Sequence, residues 1–128
     1  MNWNTYLSDF FAAVDTMNPT TFSAAFAKSG SFKFANHLPA VGTENIERVA
    51  KGVFDQLNSI GHSVVGLAVS EDSRLFVEGV VTYGRKDHRE IKLPFACVFE
   101  FSEGSLAALK PLVQNYRSYV DVAPLFAP

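Results

Sequence analysis

Few side chains in this sequence have both the type and the setting to do chemistry. The strongest are His37, its neighbour Asn36, and Ser118 within Tyr116-Arg117-Ser118-Tyr119. An imidazole changes charge near neutral pH, so His37 is a candidate general acid or base. Asn36, Tyr83, Tyr116 and Ser118 could orient a ligand by hydrogen bonds, although backbone or buried water would satisfy the same atoms. Cys97 invites a nucleophile reading, but nothing cationic stands beside it to lower its pKa, so it is expected to be a buried, protonated thiol. His62 and His88 fall at an expected helix end and hairpin tip, and read as structural or solvated. Scattered histidines without carboxylates at ligand spacing offer no metal site, and no motif calls for a cofactor. Asp121 follows an inward Val120, which assigns it to a cap or salt bridge on the outer side.

The elements that must position these groups follow from periodicity. Leu7, Phe10, Phe11 and Val14 share one face of a first helix. Asn18-Pro19 reads as an N-cap and first helical residue of a second helix with Phe22, Ala25 and Phe26 inside, stopping near Gly30. A brief strand, Ser31 to Phe34, runs into the Pro39-Gly42 elbow. Thr43 is expected to cap a third helix, with Glu44 and Glu47 near its positive end. Its ridge would be Ile46, Val49, Ala50, Val53, Phe54, Leu57 and Ile60, ending at Gly61.

From Ser63 the period becomes two. Val65, Leu67 and Val69 alternate along one strand, and Leu75, Val77, Val81 and Tyr83 point one way on the next. Ile91, Leu93, Phe95, Cys97, Phe99 and Phe101 then form a nearly pure apolar face. Pro94 inside that strand calls for a bulge or an unpaired position. A helical turn ahead of Pro111 and a last strand from Val113 to Val122 complete the chain. Helices first and strands later make an α+β layout, a curved, mostly antiparallel sheet wrapped around the long helix.

The sequence has 128 residues, enough for one domain (1–128) with a substantial core. Twelve Phe and four Tyr make the interior aromatic, either around a lined pocket or as a solid core. A net charge of -2 leaves no basic stripe for nucleic acid; Arg85-Lys86-Asp87-His88-Arg89 reads as a solvated hairpin tip. A lone cysteine fits a reducing compartment. No apolar run is long enough to span a membrane and no leader pattern opens the chain. A cytoplasmic location is the expectation.

Phe26-Ala27, Phe32-Lys33-Phe34, Pro39-Ala40-Val41-Gly42 opening a helix, and Tyr116-Arg117-Ser118-Tyr119-Val120-Asp121 together resemble the SnoaL-like branch of the nuclear transport factor 2-like superfamily. The resemblance spans essentially the whole chain. It implies a cone-shaped α+β barrel with an internal pocket, and homodimers through the convex sheet face. The spacing is similar to that of limonene epoxide hydrolase, but that enzyme's Arg position falls at Gly79, its Asp positions at Val81 and Ser118, and its Tyr position at Phe34; only its Asn is kept, as Asn36. The tyrosine and base positions of ketosteroid isomerase fall at Phe10 and near Phe34. Neither known chemistry transfers.

In this register the inward set is Phe34, Asn36, Val53, Leu57, Val81, Tyr83, Leu93, Phe95, Cys97, Tyr116, Ser118 and Val120, with Phe126 closing the mouth. Such a set is suited to a small, largely hydrophobic molecule. The expected function is binding of that molecule. The alternatives are an isomerase, cyclase or hydrolase using a non-standard site, and a non-catalytic dimeric interaction module. On the convex face, Phe76, Val80, Ala96, Val98 and Tyr119 are apolar enough for a dimer seam.

Overall fold

In the computed structural model, which describes residues 2–128, the chain begins with helix α1 (Trp3–Asp15), whose buried residues are Leu7, Phe10 and Phe11. The short α2 (Pro19–Ser23) starts as expected. The Asn18 side chain accepts hydrogen bonds from the backbone N–H groups of Thr20 and Thr21, and Pro19 occupies the first turn. Strand β1 (Phe26–Phe34), the two-residue β2 (Ala40–Val41) and helix α3 (Thr43–Phe54) follow. The rest is sheet: β3 (Leu57–Val69), β4 (Leu75–Arg85), β5 (Glu90–Phe101) and β6 (Val113–Tyr119). A 3-10 turn, Ser105–Ala107, lies between the last two strands, and a terminal α4 spans Ala123–Phe126.

The six strands form one sheet in the order β2-β1-β6-β5-β4-β3. Only the β1–β6 pairing is parallel. The fold is therefore α+β, with α2 and α3 packed together and α1 lying on β3. The alternation read for β4 and β5 holds: Leu75, Val77, Val81 and Tyr83 are buried on one strand and Leu93, Phe95, Cys97 and Phe99 on the other.

Several boundaries differ from the sequence reading, for two reasons. Phe26 belongs to β1 rather than to the second helix, and Gly30 lies inside the strand at a register shift. A Cβ on Gly30 would sit 2.9 Å from the carbonyl oxygens of both Ala27 and Val113, so glycine marks a close backbone approach, not a helix stop. Helix α3 likewise ends at Phe54, and Leu57 and Ile60 are strand residues. A bulge between Leu57 and Ser59 adds one residue. That brings two side chains three apart to the same face of a strand and mimics helical spacing.

The α3 cap also differs. It is Gly42 at φ 88°, with no side-chain cap bond, and Thr43 is the first helical residue. Pro94 sits in unbroken register with Val80. The missing donor is tolerated because β5–β6 pairing goes no further than Ala96↔Tyr119, leaving Pro94 a strand neighbour on one side only. The last strand stops at Tyr119, and the side chain of Asp121 accepts a hydrogen bond from the Ala123 N–H as a cap.

Candidate functional site

Asp15 is the last residue of α1 and lies four beyond Phe11, which is four beyond Leu7. A carboxylate therefore continues the helix's apolar stripe and faces the sheet. Across from it, His62 on β3 pairs in register with Val81. Both carboxylate oxygens of Asp15 engage this one residue. Oδ1 is 2.6 Å from the His62 Nδ1, and Oδ2 accepts the His62 backbone N–H at 3.0 Å. The His62 side chain is only 10% exposed. Phe11 stacks on the imidazole at 4.5 Å between ring centroids, and Phe95 meets it edge-on at 5.3 Å.

Two rings and a carboxylate thus fix the imidazole's plane and its tautomer. In the neutral ring with Nδ1 donating to Asp15, the free lone pair lies on Nε2.

The His62 ring forms part of the wall of an interior cavity. The other walls are Val14, Phe22, Phe32, Phe34, Ala50, Val53, Phe54, Ile60, Tyr83, Tyr116 and Ser118. The cavity measures about 50 Å³, room for a few waters and far below the roughly 300–1,000 Å³ of a formed ligand pocket. The phenylalanines fill much of the interior, with Phe22 touching Phe26, Phe32 and Phe54.

Hydroxyl groups cluster on the strands that flank this cavity. The buried Tyr116 hydroxyl lies beside Cys97 and Ser118 and near Tyr83. Burial raises the pKa of Tyr116 well above that of a free phenol, and raises Tyr83 to about 12. Burial likewise pushes the Cys97 thiol to about 12, against a smaller opposing effect of the Tyr116 hydroxyl. These groups are held as neutral donors. Cys97 is thus the inert thiol that was expected. Because the folded chain keeps protons that the unfolded chain gives up, stability should fall as pH rises to about 12, from about 9 for Cys97 and about 10 for Tyr83, by up to about 1.4 kcal/mol per pH unit for each such group. Urea unfolding at stepped alkaline pH measures that slope, and Tyr83→Phe should flatten it.

The structure places Phe34, Val53, Tyr83, Tyr116 and Ser118 on the cavity wall. Val81, Leu93, Phe95 and Cys97 are buried on the same sheet face without lining it. Leu57 is buried as the first residue of β3, not as part of a helix ridge. Asn36 and His37 are exposed on the turn after β1; His37 stacks on Phe34 at 5.7 Å from outside. Val120 is half-buried against the core. Phe126 does not close a mouth: it is 56% exposed, and its neighbour Leu125 is the buried residue. In a one-turn helix only one of two adjacent side chains can face inward.

The residues missed were His62 and Asp15. The bulge hid the start of β3, yet Ile60, His62 and Val64 already alternate at the period of a strand.

A larger groove of about 720 Å³ lies on the other side of α1. It runs between Tyr6, Asp9, Phe10 and Ala13 and the connection from Leu106 to Leu112. It gathers no set of reacting groups comparable to His62, Asp15 and the hydroxyl cluster. Among the described residues, no group of three or more potential metal ligands occurs, and no helix is long and apolar enough to cross a membrane.

A family model described as the SnoaL-like domain matches residues 7–109. The chain belongs to the SnoaL-like domain family. Solved structures agree on the fold. One is a hypothetical protein with a ketosteroid isomerase-like fold from Catenulispora acidiphila, in complex with trimethylamine: 16% identity, TM-score 0.75, covering 89% of this chain and 83% of that one. A second protein from Catenulispora acidiphila, in complex with S-DNPA, matches at 19% identity and TM-score 0.70 over 97% and 94% of the two chains. A ketosteroid isomerase-like protein from Erwinia carotovora atroseptica matches at 13% identity and TM-score 0.70 over 98% and 94%. No curated protein matches the chain. At these identities the SnoaL-like likeness to solved structures fixes the fold alone.

Proposed function

We propose that this SnoaL-like protein is a proton-transfer enzyme acting on a small, largely apolar molecule that carries a carbonyl or hydroxyl oxygen. The observation that carries the reading is the His62–Asp15 pair at 2.6 Å on the wall of an aromatic cavity. Asp15 holds the Nδ1 proton and orients the ring, so Nε2 can take a proton from a carbon next to the substrate's carbonyl. The protonated ring is then stabilised by the carboxylate. The negative charge that develops on the substrate oxygen needs donors that do not themselves ionise. Tyr83, Tyr116 and Ser118 are hydroxyls of that kind, on strands flanking the cavity. Returning the proton to a different carbon gives an isomerase; losing a leaving group gives an elimination. Two solved structures of this fold are complexes with small molecules, trimethylamine in one and S-DNPA in the other, which supports small-molecule binding.

Solvent-deuterium exchange tests the reading. The protein should speed incorporation of deuterium at the α-carbon of small aryl ketones, followed by NMR. A panel of such ketones exchanging only at the buffer rate would overturn it.

The outer sheet face supports a second copy as partner. Phe76 and Tyr119 are exposed there, and so is Ala96, while Val98 on the same strand as Ala96 is buried. A two-fold pairing would cover this row once on each subunit. Ala96→Glu should then shift the protein to monomer in sedimentation; an unchanged mass would remove this face from the interface. The reducing, cytoplasmic setting belongs to the same proposal and rests on the unpaired Cys97.

A further inference from the structure

The cavity beside His62, at about 50 Å³, has no room for an aryl ketone unless one of its walls yields. The walls are not equally fixed. Phe22 and Tyr116 are enclosed by other aromatic rings. His62 is pinned by Asp15 and by the stacked Phe11. Val14 and Val53 are half-buried, but each is a small β-branched side chain on a helix, held close to one rotamer.

Phe34 differs. It is the one phenylalanine of the lining that is only half-buried. It ends β1, where β6 pairs on one side (Phe34↔Ser118) and the β2 pairing goes no further than Phe32↔Ala40. The backbone is fixed there, because the Ala35 N–H donates to the Ser118 carbonyl oxygen at 2.9 Å. The side chain is not. Its ring lines the cavity, and the exposed His37 stacks on it at 5.7 Å with the two planes 5° apart. A single ring thus stands between the interior and a solvated imidazole. Turning that ring outward displaces water and His37, breaks no backbone hydrogen bond and buries no charge.

We propose that the Phe34 ring is the movable wall of the His62 cavity and the residue that sets the size of its substrate. The inference rests on the proton-transfer reading above. Rotation about the Cα–Cβ bond to another staggered position needs no backbone opening. The space it vacates is that of one benzene ring, and the roughly 50 Å³ already present takes a carbonyl and a small alkyl group. A ketone with one aromatic ring fits that sum. One with two fused rings does not, because the enclosed Phe22 and Tyr116 cannot follow. Phe34 then packs on the bound ring from outside.

Binding alone, followed by NMR with acetophenone and 2-acetylnaphthalene as probes, tests this assignment. Wild-type protein should bind acetophenone and reject the larger ketone. Phe34→Ala should tighten 2-acetylnaphthalene by about ten-fold or more. Phe34→Leu, which keeps an apolar side chain at the strand end, should gain less in the same direction. With Phe34 replaced by 4-fluorophenylalanine, the solvent-isotope shift of the fluorine should grow as acetophenone saturates the protein, because the ring moves toward water. A fluorine signal unchanged at saturation would overturn the movable wall. So would wild-type protein that binds no acetophenone, or variants that bind the larger ketone no better than wild type. Acetophenone bound with these signatures, yet without deuterium exchange, would support the role of Phe34 and remove that of His62, so the two failures are seen separately.

Discussion

Replacing His62 with Gln should lower the enzyme-dependent rate of deuterium exchange into aryl ketones by roughly 10²- to 10⁴-fold, the range supplied by a positioned general base. Glutamine keeps a polar group of similar reach but has no basic nitrogen. Asp15→Asn should produce a loss of comparable order, because an amide can present its NH₂ to Nδ1 and so trap the wrong tautomer, leaving Nε2 protonated. His37→Ala should leave all of this unchanged, since His37 is exposed outside the cavity. Equal exchange by wild-type protein and His62→Gln would mean that the pair at 2.6 Å is only a structural tie between α1 and β3.

The largest effect on stability is expected at Phe99. Its side chain is 0% exposed. Its ring sits 4.9 Å from both Phe10 and Tyr116, and 6.0 Å from both Tyr6 and Phe101. It therefore joins α1 to the two central strands. Phe99→Ala should cost about 3–5 kcal/mol, because neighbours held by a helix and two strand ladders cannot collapse into the void. Thermal unfolding should fall by on the order of 10–20 °C. A loss below about 1 kcal/mol would show that this aromatic cluster repacks freely. The same core constrains the site, since Phe10 and Phe99 both pack against Tyr116.

How much of this was legible in the sequence depended on whether a strand was regular. The alternation of Leu75, Val77, Val81 and Tyr83, and of Leu93, Phe95, Cys97 and Phe99, could be read directly because β4 and β5 pair without a register break. Tyr83 followed from that parity, while Tyr116 and Ser118 came from the register that the family resemblance implies. Register also shifts between β5 and β6 at the far end, but β1 and β3 were the strands misread. At Leu57 and Ile60 the bulge produced helical spacing. It moved the helix end by about two turns and took His62 out of its strand. The pairing of His62 with Asp15 joins residues 47 apart in the chain, and no local pattern announces such a contact. A carboxylate extending the Leu7-Phe11 stripe was the one available sign.

Gly79 shows why the resemblance to limonene epoxide hydrolase stops at the fold. A Cβ there would lie 2.3 Å from the Ser63 carbonyl oxygen and 2.7 Å from the Phe95 ring. No arginine can stand at that position in this backbone. The inner face of β4 is given over to close packing there, and the proposed chemistry sits on β3 and α1 instead.

A crystal structure with bound 4-nitrophenol, a planar mimic of an enolate, tests the central claim most directly. The account predicts the ring among Phe34, Val53 and Phe54, its oxygen within hydrogen-bonding distance of Tyr83, Tyr116 or Ser118, and its opposite edge facing His62 Nε2. Density for the phenol in the groove between α1 and Leu106–Leu112, with the His62 cavity unchanged, would contradict it.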